Sequence, residues 1–200
     1  MRTFLNSAIV VLMTAILAGM ILLGLAGCAT DDPLQPLDPV FKVHSATADA
    51  LMENFVLAYG GRDLELYEQL LHDDFIFTFD PVTAKRLGPS YEFFTREDEL
   101  ITAQKMFCGK PIVNSRGQHQ AAITDIVFAA WEQAGPWSLD FEGQLRGVFD
   151  AVIQIHRDGA SSFTIDGQQV FTVVLADISD SEGAVRPSYQ IIGWQELSGL

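Results

Sequence analysis

The sequence predicts an α+β domain, with about three N-terminal helices packed on a strongly curved, mainly antiparallel sheet. Three observations predict it. From Ala48 the apolar residues Leu51, Met52, Phe55, Val56 and Tyr59 recur at helical spacing and form one stripe. From Leu139 to Ile155 the odd positions, among them Phe141, Leu145, Phe149, Ile153 and Ile155, alternate with Asp140, Glu142, Gln144, Arg146, Asp150 and Gln154. That is strand periodicity with one face on a core. The run far exceeds a usual strand of about 5–6 residues, so it must twist and bend, and Gly143 and Gly147 are where it can. Third, the helical patterns come early and the long strand patterns late, an α+β order.

Each element can be read from its punctuation. Ser45 or Thr47 caps the first helix, and Gly60-Gly61 ends it. Asp63 caps a shorter helix that buries Leu66, Tyr67, Leu70 and Leu71. His72-Asp73-Asp74 breaks the period, and Phe75 to Phe79 reads as a strand stopped by Asp80-Pro81. Val82 to Tyr91 reads as a loop. Thr95 with Asp98 forms a capping box for a third helix, which buries Leu100, Ala103, Met106 and Phe107 before Gly109 and Pro111. Gln118 to Trp131 is the next strand, and Gly135-Pro136 turns the chain into the long alternating run. Arg157-Asp158-Gly159 makes a hairpin into Ser161 to Ala176, where Phe163, Ile165, Gln169, Phe171 and Val173 face inward. Ser181 to Pro187 is a loop, and Ser188 to Leu197 the last strand.

Ahead of this domain (44–200) lie two further segments. Arg2 is followed by an uncharged run from Thr3 to Thr30, long enough to cross a bilayer. It contains Leu25-Ala26-Gly27-Cys28, which closely resembles the lipobox of bacterial lipoproteins. The resemblance implies that residues 1–27 are a signal peptide, that the Cys28 sulfur receives a diacylglyceryl group, and that the new amine is acylated by a fatty chain such as palmitate. Several chains anchor firmly where one binds only marginally. An uncleaved anchor helix that happens to hold a cysteine is the other reading. Residues 28–43, with Pro33, Pro36 and Pro39, suit an extended tether. Ala29 after the cysteine, rather than Asp, fits an outer-membrane location facing the periplasm.

The chain carries a formal charge of −14. Losing Arg2 with a leader makes it more acidic still. Such a surface repels nucleic acid and anionic headgroups, so membrane contact is expected through lipid alone. With Cys28 acylated, Cys108 has no intrachain partner and is expected to be a buried, inert thiol. His44, His72, His119 and His156 show no metal-ligand spacing, and no hydrolase, nucleotide or redox motif occurs. No cofactor or metal is expected.

The segment Asn54 to Leu64, with Leu70-Leu71-His72-Asp73-Asp74-Phe75, Phe79-Asp80-Pro81 and the closing Ile191-Ile192-Gly193-Trp194-Gln195-Glu196, resembles the nuclear transport factor 2-like superfamily. That superfamily includes ketosteroid isomerases and polyketide cyclases. The resemblance covers roughly Ser45 to Leu197 and implies a cone, a curved sheet with helices closing over a pocket. In the isomerases a carboxylate base precedes a proline at the end of the first strand, and Asp80 stands there. A helix tyrosine serves as oxyanion donor, and Phe55 stands there without the hydroxyl. A protonated acid lies on a later strand, and Gln169 stands there.

Asp80 and Gln169 are thus the candidate polar pair, beside a pocket lining of Phe55, Tyr59, Phe79, Phe141, Phe149, Ile153, Gln169 and Phe171. Against a site, Asp80 can simply hold its Asp-Pro turn and Gln169 a buried backbone group. Val148, Val152, Val170 and Val174 lie on the outer sheet face, where apolar residues suggest a cover. The superfamily often dimerises there, so a homodimer is expected. The expected function is a lipid-anchored envelope domain that binds a small apolar ligand or a protein partner without catalysis. The alternative is an acid/base enzyme of isomerase or cyclase type, with Asp80 as base. The alternating run carries no ionisable group on its inner face, which favours binding.

Overall fold

A computed structural model describes residues 44–87, 93–113, 117–179 and 184–197. Cys28, the lipobox and the proline-rich tether lie outside these residues. Among the described residues are four helices, α1 (Ala48–Gly61), α2 (Leu64–Leu70), α3 (Pro81–Leu87) and α4 (Arg96–Phe107). The strands are β1 (Leu71–Thr78), β2 (Phe93–Thr95), β3 (Ile112–Val113), β4 (His119–Gln120), β5 (Ile123–Gln133), β6 (Ser138–Leu139), β7 (Leu145–Arg157), β8 (Ala160–Ser179) and β9 (Val185–Leu197). The architecture is α+β. The main sheet runs β2-β1-β9-β8-β7-β5, with β6 also on β7 and a separate β3-β4 pair. Every pairing is antiparallel except β1 with β9.

The helix starts follow their capping chemistry. Thr47 accepts the Ala50 N–H, Asp63 the Leu66 N–H, and Thr95 with Asp98 closes a reciprocal box. The end of α1 differs from expectation. Gly61 is still helical, and Arg62 takes the left-handed conformation at φ 55°, its N–H on the Ala58 and Tyr59 carbonyls. Its guanidinium donates to the Ile123 carbonyl at 2.8 Å, which ties the helix end to β5.

Two other boundaries also differ. The expected loop after Asp80 begins with α3. Proline is pre-organised for a first helical position, and Asp80 caps it by accepting the N–H groups of Val82 at 2.8 Å and Thr83 at 3.3 Å. The alternating run starts at Leu145, not Leu139. Asp140 to Gln144 is a tight turn in which the Asp140 carboxylate accepts the Glu142 and Gln144 N–H groups, and Gly143 supplies φ +79°. Phe141 sits at its tip, 96% exposed, so it lines no pocket. Alternation continued through a turn by coincidence.

The core lies between the helices and the inner sheet face. Phe55 is its hub, with ring centroids 5.1 Å from Phe171, 5.4 Å from Trp194, 5.7 Å from Trp131 and 5.6 Å from Tyr59. Phe149, Ala151, Ile153 and Ile155 of β7 are all buried, as are Phe163, Gln169, Phe171 and Val173 of β8. On the outer face Val170 is already buried within the chain, and Val148, Val152 and Val174 are half-buried. No described helix is long and apolar enough to cross a membrane.

Candidate functional site

The aromatic hub fills most of the cone. What remains is a cavity of about 50 Å³ lined by Tyr59, Phe77, Phe79, Thr83, Glu99, Thr102, Met106, Ile165, Trp194 and Glu196. That is small beside the roughly 300–1,000 Å³ of a drug-sized ligand pocket. Two carboxylates face it, one from α4 and one from β9.

Glu99 reaches the cavity because α4 buries a stripe of Glu99, Thr102, Ala103 and Met106. These are i, i+3, i+4 and i+7, one turn-face of the helix. Glu99 is 5% exposed, and its carboxylate accepts the Tyr67 hydroxyl at 2.8 Å. No other hydrogen bond or ion pair engages that carboxylate among the described residues. Burial pushes its pKa up to about 7, although the Tyr67 hydrogen bond works against this.

Glu196 reaches the cavity by a different device. Along the upper part of the pair, β9 sets Ile191 opposite Val173, yet Gly193 stands opposite Thr172. Ile192 is therefore an extra residue, a bulge that changes which parity faces inward. Below it, Trp194 pairs with Phe171 and Glu196 with Gln169, so both share the interior face. Without the extra residue, an even-numbered Glu196 would point away from an odd-numbered Ile191. Burial, then the nearby charge of Asp80, raises Glu196 to about 7. Glu196 is half-buried and marks the mouth, with Glu99 at the floor.

The tyrosines complete the electrostatics. Tyr67 and Tyr59 are fully within the core, and burial with the field of Glu99 holds both hydroxyls far above the ordinary range. They stay neutral donors. Among the described residues, no Lys, Arg or His pairs with Glu99 or Glu196. No group of three His, Cys, Asp or Glu gathers there in a manner suited to a metal.

The residues singled out from sequence divide accordingly. Tyr59 and Phe79 line the cavity. Phe55, Phe149, Ile153 and Phe171 are buried core beneath and beside it. Gln169 is 1% exposed, and its amide oxygen accepts the Trp194 indole N–H at 2.8 Å. It satisfies a buried donor instead of meeting the cavity. Asp80 caps α3 and borders a separate hollow on the outer face. The inner face of β7 is indeed free of ionisable groups, but the acids arrive on α4 and β9. Sequence reasoning missed Glu99 and Glu196. The helical stripe through Glu99 was there to be found, whereas the bulge that turns Glu196 inward had no signal of its own. Cys108 caps the end of α4 and is half-buried, with its thiol on the Lys105 carbonyl at 3.4 Å.

No family model matches the chain, and no curated protein matches it. Several solved structures are similar. One is an NTF2-like protein of unknown function in nutrient uptake from Rhodospirillum rubrum, with TM-score 0.42 and 16% identity, covering 77% of this chain and 99% of that one. Another is ActVI-ORFA from Streptomyces coelicolor, with TM-score 0.41 and 12% identity over 74% and 91% of the two chains. A third is hexachlorocyclohexane dehydrochlorinase LinA-type3 from Novosphingobium barchaimii, with TM-score 0.41 and 12% identity over 75% and 87%. The likeness is loose, one of overall architecture, and no activity or residue role is carried over from it.

Proposed function

We propose that this chain is a lipid-anchored cell-envelope protein whose cone holds a small molecule without transforming it. The observation that carries the binding half is the cavity of about 50 Å³ with Glu99 at its floor and Glu196 at its mouth. A purely apolar ligand of drug size does not fit this reading, since such ligands occupy roughly 300–1,000 Å³. The anchoring half rests on Leu25-Ala26-Gly27-Cys28. A homodimer through Val148, Val152 and Val174 belongs to the same reading. The outer-face hollow beside them carries Asp80, Glu132, Asp150 and Asp166 and no lysine or arginine, so self-association should strengthen with salt.

Native mass spectrometry of the full chain from its own host tests all three parts. The expected result is a lipidated mature mass, a dimer, and a co-purified molecule of a few heavy atoms. A Cys28→Ala variant that keeps its precursor mass and floats with membranes just as the parent does would remove the anchor. A second reading has its own support. Two acids with pKa values near 7 suit proton transfer near neutral pH. Here Glu99 or Glu196 replaces Asp80 as the base, because Asp80 already holds the N-terminus of α3. Turnover abolished by Glu99→Gln but not by Asp80→Asn would decide for it.

A further inference from the structure

The cavity pairs two features that are unusual together. Its walls include the rings of Tyr59, Phe77, Phe79 and Trp194, and two carboxylates face the same space. Phe77 and Trp194 stand nearly perpendicular at 5.0 Å, and Phe77 and Phe79 likewise at 4.8 Å, so the rings form a corner, not a flat stack. A ring face is the negative end of its quadrupole and attracts a cation lying within about 6 Å of the centroid. Neither acid has a basic partner among the described residues. Glu99 is nine-tenths buried and offers an oxygen that no protein donor engages.

From this geometry we propose that the cone is a binding site for a small methylated ammonium group, enclosed by Phe77, Phe79 and Trp194 and neutralised by Glu99 and Glu196. The inference rests on the small-molecule reading of the same cavity and names its ligand class. Charge and polarity agree on that class. Methyl groups need no hydrogen-bond acceptors and pack against Met106 and Ile165, while the charge meets carboxylates in a space with little water. An anion is disfavoured by the two acids. A neutral apolar group of the same size would leave both acids facing it without compensation. Burial raises both pKa values, with the charge of Asp80 adding to it at Glu196, and a bound cation would pull both down. Affinity should therefore rise with pH through about 7.

The test is titration calorimetry of the full chain in detergent at pH 8 with trimethylammonium chloride. tert-Butanol serves as the neutral probe of similar size, and glycerophosphocholine as the same head on a polar stalk. The expected result is saturable binding of trimethylammonium, with tert-butanol roughly tenfold weaker or worse. Glu99→Gln and Glu196→Gln, each checked for an unchanged thermal transition, should each weaken the cation roughly tenfold and leave tert-butanol unaffected. Glycerophosphocholine binding as well as trimethylammonium, with the same loss in Glu99→Gln, assigns the group to a lipid headgroup. Its failure to bind assigns it to a free amine. Equal binding of tert-butanol and trimethylammonium would overturn the cation while leaving the small-molecule pocket intact. If neither probe binds, both readings fall. An affinity for trimethylammonium unchanged in both variants would also overturn the proposal.

Discussion

Strands β7 and β9 sit in the same sheet, one strand apart, and teach opposite lessons. Along β7 the inner residues Phe149, Ala151, Ile153 and Ile155 follow strict alternation, and all are apolar. Along β9 the buried Ile191 and Trp194 are three apart on the same inner face, because Ile192 is an unpaired extra residue. The regular strand builds an inert wall. The irregular strand delivers a carboxylate and an indole to the small cavity beside the aromatic core. One of the two cavity carboxylates thus enters the cone where the sheet breaks its own rule, as bulges near sites often allow.

Four perturbations would break or sharpen that contrast. Inserting one residue between Gly193 and Trp194 reverses the parity beyond it and sends Trp194 and Glu196 to the outer face, leaving the Gln169 amide without its indole. A loss of at least about 4 kcal/mol, or of cooperative unfolding altogether, is expected in denaturant titrations. Retention of full stability would mean that the register of β9 on β8 is not what orients Glu196. Phe171→Ala opens the wall opposite Trp194 and should cost about 3–5 kcal/mol by the same measurement.

The acids give a signed pH effect. Glu99 has its pKa raised to about 7 in the fold against 4.5 in the open chain. Between those values the folded state holds the proton more tightly, so stability is highest at the acid end of the window and falls as pH rises from 4.5 towards 7. The groups that face Glu99 are Tyr67 on α2, Tyr59 on α1 and Glu196 on β9, and the tyrosines stay neutral here. Glu99→Gln should remove part of the slope and be the more stable protein at pH 8 by about 2–3 kcal/mol. Glu196 should account for slope that persists. Equal slopes in parent and variant would mean that Glu99 is not desolvated.

The smallest effect is expected at Gly147. A Cβ there would lie 2.6 Å from the Trp137 ring, and Trp137 is held by the Asp49 carboxylate at 2.6 Å. Gly147→Ala should cost about 1–3 kcal/mol by overpacking and shift the Trp137 fluorescence, with the cation site untouched.

How far the chain could be read in advance follows the same line. Thr47, Asp63 and the Thr95–Asp98 box announce helices by local chemistry, and the inner face of β7 announces itself by period. Asp80-Pro81 misled because an N-cap followed by a first-turn proline is written with the same letters as a turn. Leu139 to Gln144 misled because a turn held by the Asp140 carboxylate happened to alternate. Glu99 escaped because a glutamate beside a capping box looks like a dipole-compensating acid, and its burial depends on the cone it faces. Glu196 needed the register of β8 against β9, a property of two strands and not of either one.

One feature of the sheet reaches beyond the site. The last described strand, β9, is also an inner one, hydrogen-bonded to β8 on one side and, in parallel, to β1 on the other, with Leu71 beside Ile191. Until that segment arrives, two rows of peptide groups stand open and the middle of the bowl is missing. Long-range closure of this kind makes for slow folding. The two halves of the sheet, β2-β1 and β8-β7-β5, are thus joined only through β9 among the described strands, like a purse held shut by its drawstring.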